Sequence, residues 1–100
     1  MKILALETEV PGVTDEQFTV ELLEEESKRA WELYQEGTIR ELYFTQDQYE
    51  AVLILECEDS AEAQRVLDSL PLVKANLIGF KLLPLVPYDG FARLFKTNDP

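Results

Sequence analysis

Glu41 and Tyr43 stand two residues apart within Thr38–Thr45, a stretch rich in β-branched and aromatic types. On an extended chain, residues two apart emerge on one face about 7 Å from each other. A carboxylate base and a phenol able to donate to a developing oxyanion would then sit side by side. A plainer reading is also open, in which Glu41 pairs with Lys81 or Arg40 and Tyr43 fills space between subunits. Glu7, in the first apolar run, is the second candidate base. Arg40 would anchor a ligand carboxylate, because its fork meets two oxygens at once, although alternation turns it away from Glu41. Lys81 falls on the face of Glu41 by the same alternation, and Tyr88 stands where it could cap a cavity mouth. These four residues form the candidate ligand-binding set.

The other reactive types are scarce. The 100 residues contain no histidine and one cysteine, Cys57. An intrachain disulfide, a Cys/His zinc site, histidine-ligated haem and a histidine-based triad are therefore excluded. Without an activating histidine, Cys57 reads as a small buried hydrophobe. Glu24-Glu25-Glu26 could suggest a cation site, but successive helical residues diverge by about 100°, so the run reads as a solvated face. Twenty acidic against nine basic residues leave a net charge of −11, which repels phosphate backbones and anionic lipid. No nucleic-acid or membrane partner is expected. The apolar run Ile3–Leu6 is too short for a signal or a membrane span, and a cytoplasmic location is expected.

The elements that must position these groups follow from periodicity. Residues 2–8 read as a strand ended by Pro11-Gly12. Thr14-Asp15-Glu16-Gln17 has the form of a capping box, which predicts one long helix from about Asp15 to Glu36, closed by Gly37. Val20, Leu23, Ser27, Ala30, Trp31 and Tyr34 share a stripe predicted to lie on the sheet, with Phe18, Leu22 and Leu33 on the far side. Strands at 38–45 and 49–58 make a hairpin. A short helix runs from Ser60 to Pro71, a loop follows, and residues 77–86 give an edge strand interrupted by Pro84.

The order β-α-β-β-α-β is the ferredoxin-like arrangement, an α+β fold with a four-stranded antiparallel sheet and two helices on one face. A single domain over 1–100 is expected, with a core at 1–87 and a C-terminal tail at 88–100. Alternation puts Ile3, Ala5, Glu7, Ile39, Glu41, Tyr43, Glu50, Val52, Ile54, Glu56, Leu77, Gly79, Lys81 and Leu83 on the helix-free face. Such mixed polarity calls for a second copy packed over it, with a polar cavity between the sheets. In the tail, Asp89 can cap a short helix bearing Phe91, Leu94 and Phe95 on one side, which would dock on its own subunit or, as favoured here, on a neighbour.

Gln35-Glu36-Gly37-Thr38-Ile39-Arg40-Glu41-Leu42-Tyr43, the apolar strand ending near Glu56, and Ser69-Leu70-Pro71-Leu72 together resemble muconolactone delta-isomerases over roughly residues 30–86. The resemblance implies a ferredoxin-like subunit paired into a dimeric α+β barrel. It also implies isomerisation of a small unsaturated lactone by proton transfer, with neither metal nor organic cofactor. The chain departs from the family at three polar places. Glu41 stands for a histidine, Phe44 for an arginine, and Val86-Pro87-Tyr88 for a Cys-Arg-His stretch. Two function classes stay open: a cofactor-free isomerase acting on a small lactone or related carbonyl compound, and a non-catalytic small-molecule-binding or assembly module on the same barrel.

Overall fold

The computed structural model describes residues 1–95, so the end of the predicted tail, residues 96–100, lies outside the described residues. Four strands, β1 (Lys2–Glu9), β2 (Ile39–Phe44), β3 (Ala51–Glu56) and β4 (Ile78–Pro84), form one antiparallel sheet in the order β2-β3-β1-β4. Helices α1 (Val20–Gln35), α2 (Ser60–Asp68) and the single turn α3 (Pro71–Lys74) complete the α+β ferredoxin-like order read from the sequence.

The long helix is interrupted near its start. Gln17 Oε1 accepts from the Thr14 N–H at 2.8 Å and closes a 3-10 turn over Asp15–Gln17. Thr19 then caps a fresh helix through Oγ1, which accepts from the Leu22 N–H at 3.2 Å. Two capping residues five positions apart favour two helical starts over one. At the other end Gly37, at φ +83°, allows its own N–H to reach the Tyr34 carbonyl while the Thr38 N–H reaches that of Leu33 at 3.0 Å. This is a Schellman closure. Gly37→Ala should cost about 1–2 kcal/mol, the penalty of a left-handed backbone with a Cβ, read as a lower urea midpoint at unchanged m-value.

The face of α1 that enters the core is turned by roughly a third of a turn from the predicted one. Leu33 is 1% exposed and belongs to the main core, whereas Val20 is 67% and Trp31 57% exposed. Phe18 and Leu22, predicted on the far side, pack with Leu72, Leu77 and Ile78. The predicted stripe is richer in apolar residues, but part of it borders an open cleft rather than the core.

Sheet parity is corrected in the same way. Ile3 and Ala5 pair with Leu55 and Leu53 and are fully buried under the helices, and Glu7 follows on that face. Because Ile3–Leu6 is apolar on both faces, alternation within β1 carries no directional information, and the register to β3 decides it. Ile39 also turns to the helices, because a bulge between Ile39 and Glu41 inserts Arg40 as an extra residue. The predictions for Glu41, Tyr43, Val52, Ile54, Gly79, Lys81 and Leu83 agree with the observed register, whereas Leu77, assigned to the same face, precedes β4 and is buried against Leu72 and Ile78.

Where a loop was expected after α2, Pro71 opens α3 at its first position, where its missing N–H costs nothing. Beyond β4, Gly90–Phe95 forms a 3-10 turn begun by an Ala92 N–H to Asp89 carbonyl bond of 3.2 Å. Phe91, Leu94 and Phe95 are all well exposed. No described helix is long and apolar enough to cross a membrane.

Candidate functional site

Leu22, Glu26, Arg29 and Leu33 recur at helical spacing along the inward face of α1. Leu33 seats one end in the core. Toward the other, Arg29 Nε donates to Ser69 Oγ at 3.0 Å, and Glu26 Oε1 accepts from the Leu72 N–H at 2.9 Å. These bonds tie α1 to the α2–α3 segment. The helix packs mainly on β2 and α3, and a cleft of about 810 Å³ opens between it and the sheet. That volume suits a small organic ligand.

The walls are aromatic and aliphatic. Phe44 stacks on Tyr49 with ring centres 4.5 Å apart and planes 13° from parallel, and Trp31 stacks on Tyr34 at 5.9 Å. Tyr49 reaches its place with φ +56°. Phe44, where the resemblance pointed to an arginine, is one of these walls. Two carboxylates face the apolar lining: Glu26 from α1 and Glu7 from β1.

Glu7 Oε1 accepts from the Ala51 N–H at 2.8 Å, where the β1–β3 register has run out beyond Leu6 and Val52. Burial is the main cause that raises the carboxyl pKa of Glu7; the Ala51 bond opposes it, and Glu50 and Glu9 add repulsion. Burial likewise raises Glu26, against the bond from Leu72, and the charge of Glu7 raises it further. Each carboxylate is thus anchored through Oε1, with its second oxygen outside these bonds.

The remaining predicted residues are dispersed. Glu41 and Tyr43 do meet, with Tyr43 Oη donating to Glu41 Oε1 at 2.6 Å, on the helix-free face. Glu41 holds the phenol proton and raises its pKa. Glu41→Gln should therefore let Tyr43 ionise at lower pH, a change visible in its ultraviolet titration. Lys81 shares a cross-strand row with Tyr43 through Leu6 and Val52, three strand intervals or roughly 14 Å away. That is too far for a pair. Arg40 donates through Nε to the Gly37 carbonyl at 2.6 Å. Tyr88 sits edge-on to Phe91 with centres 5.0 Å apart, and is exposed. Cys57 is buried in the core, and its thiol pKa is raised chiefly by burial.

Of the predicted set, Glu7 lies in the cleft and Tyr43, whose hydroxyl bonds Glu41 on the other face, only borders it from the edge strand; the carboxylate that joins Glu7 there, Glu26, is hidden in a run of three glutamates. The signal that could have found it is its spacing from Leu22 and Leu33, which places it on the inward stripe once that stripe is correctly chosen. Among the described residues no three Cys, Asp or Glu side chains gather as a metal cluster would.

The sequence profile described as muconolactone delta-isomerase matches residues 3–89. No curated protein sequence matches the chain. Among solved structures, a muconolactone isomerase is similar over 89% of this chain and 92% of its own, at 21% identity and a TM-score of 0.73. A 5-chloro-2-hydroxyhydroquinone dehydrochlorinase from Burkholderia phenoliruptrix AC1100, in complex with 2,5-dihydroxybenzoquinone, is similar over 90% and 98%, at 18% identity and a TM-score of 0.65. At these identities the two structures speak for the shared fold. With a profile that spans nearly the whole sequence and an architecture that agrees with it, this chain belongs to the muconolactone delta-isomerase family.

Proposed function

We propose that the cleft between α1 and the sheet carries out proton transfer on a small unsaturated carbonyl compound without a cofactor, with Glu7 and Glu26 as its acid and base. The observation that carries this reading is the placement of two carboxyls in one apolar cleft, both shifted toward their protonated forms. Burial of both, with the charge of Glu7 acting on Glu26, favours a state in which one carboxyl holds a proton and the other does not, which lets one member remove a proton while the other supplies one. The base breaks a C–H bond next to the carbonyl, the electron pair enters the enol, and a proton returns at another carbon. The double bond has then moved and the protein regains its starting protonation. A second reading, favoured by the 2.6 Å contact, gives the same roles to Glu41 and Tyr43.

The test is deuterium incorporation from heavy water into α-angelica lactone, an uncharged β,γ-unsaturated lactone. Wild-type protein should accelerate incorporation, and Glu7→Gln and Glu26→Gln should lose that acceleration while Glu41→Gln keeps it. Loss in Glu41→Gln alone would move the site to the open sheet face. A wild-type protein that accelerates nothing would favour the non-catalytic binding module.

The helix-free face offers Leu4, Leu6, Val52, Ile54 and Leu83 between charged neighbours, and we assign it to pairing with a second copy. The exposed tail aromatics fit a contact of the same kind. Light scattering should give at least twice the 11.5 kDa chain mass, and deletion of residues 88–100 should shift the assembly toward smaller species. A stable monomer at micromolar concentration would remove this assignment.

A further inference from the structure

We infer that the cleft selects uncharged rings bearing hydroxyl groups and rejects rings bearing a carboxylate, an inference that rests on the cleft being the reacting site. Among the described residues, no lysine or arginine lines it. The nearby cations are engaged or face elsewhere: Arg29 on Ser69 and Glu32, Arg40 on the Gly37 carbonyl, and Lys81 on the opposite face of the sheet. A ligand carboxylate would enter as a third anion beside Glu7 and Glu26, in apolar surroundings and with no positive partner. Desolvation and like-charge repulsion would both oppose it.

The same lining suits a hydroxylated ring. The second oxygens of Glu7 and Glu26 can accept from ligand hydroxyls, and the phenols of Tyr34 and Tyr49 can donate. The two stacked aromatic pairs offer flat surfaces to a planar ring. An ammonium ligand would also be attracted, but it would hold both carboxylates ionised and remove the protonated carboxyl that the acid–base role needs.

Three probes of one shape separate these cases: resorcinol, 3-hydroxybenzoate and 3-hydroxybenzylamine, neutral, anionic and cationic at pH 7. Trp31, the single tryptophan, lines the cleft and reports binding by fluorescence. Resorcinol should bind at least tenfold more tightly than either charged probe. Phe44→Arg places a guanidinium on an exposed part of the wall and should reverse the order of resorcinol and 3-hydroxybenzoate. Equal or tighter binding of either charged probe to the wild type, or no saturable binding of resorcinol up to millimolar concentration, would overturn the inference. Selective resorcinol binding by a protein that exchanges no protons would leave the selectivity standing and remove only the catalytic reading.

Discussion

Glu26→Gln is expected to lower proton exchange by about 10²–10⁴-fold, the usual share of a positioned acid or base, without weakening the fold. The two effects separate because a glutamine keeps the oxygen that accepts from the Leu72 N–H, yet cannot carry the transferred proton. Glu7→Gln should behave alike through its bond from Ala51. The stability of both variants has a definite sign. A carboxyl whose pKa is raised in the folded state takes up protons on folding, so keeping it ionised costs stability above that pKa. The cost is relieved as the pH falls through the folded pKa toward the ordinary carboxylate value. Each glutamine variant should therefore be the more stable protein at pH 7, and its advantage should shrink on acidification. Taking the difference from wild type at each pH cancels the self-repulsion of the −11 chain, which acidification also relieves. Thermal melts from pH 7 downward check this. A glutamine variant less stable than wild type at pH 7 would show that the charge of that carboxylate holds the structure together.

Leu33→Ala should cost about 2–5 kcal/mol, the range for emptying a fully buried leucine site. Leu33 is 1% exposed and seats the end of α1 that meets the sheet. Leu23→Ala, on the stripe predicted to face the core but 42% exposed, should cost less than about 1 kcal/mol. Urea unfolding of the two variants compares the two faces directly. Because α1 roofs the cleft, Leu33→Ala should also weaken ligand binding more than its distance from Glu7 would suggest, whereas equal costs at the two leucines would contradict the observed rotation of the helix.

Those two leucines also show where the sequence was legible and where it was not. Strand and helix order, the edge position of β4 and the helix-free side of Glu41, Tyr43 and Lys81 follow from local patterns, because turn residues and alternation act over a few positions. Which face turns inward is a longer-range matter. β1 is apolar on both sides, so its orientation is fixed by pairing with Leu53 and Leu55. α1 carries one stripe that fills the core and another that borders a cleft, and hydrophobicity does not tell them apart. Arg40 inserts a bulge that no alternation rule announces. The site is affected most, since alternation alone puts Glu7 on the wrong face and the run of three glutamates makes Glu26 look solvated.

Carbon-detected NMR titration of the glutamate side-chain carboxyls will show whether Glu7 and Glu26 form a desolvated, electrostatically linked pair in one cleft. Both resonances should titrate above the ordinary carboxylate range, and in Glu7→Gln the midpoint of Glu26 should move down, because a neighbouring negative charge has been removed. Ordinary midpoints for both groups, with Glu26 unmoved by the substitution at Glu7, would contradict the linked pair.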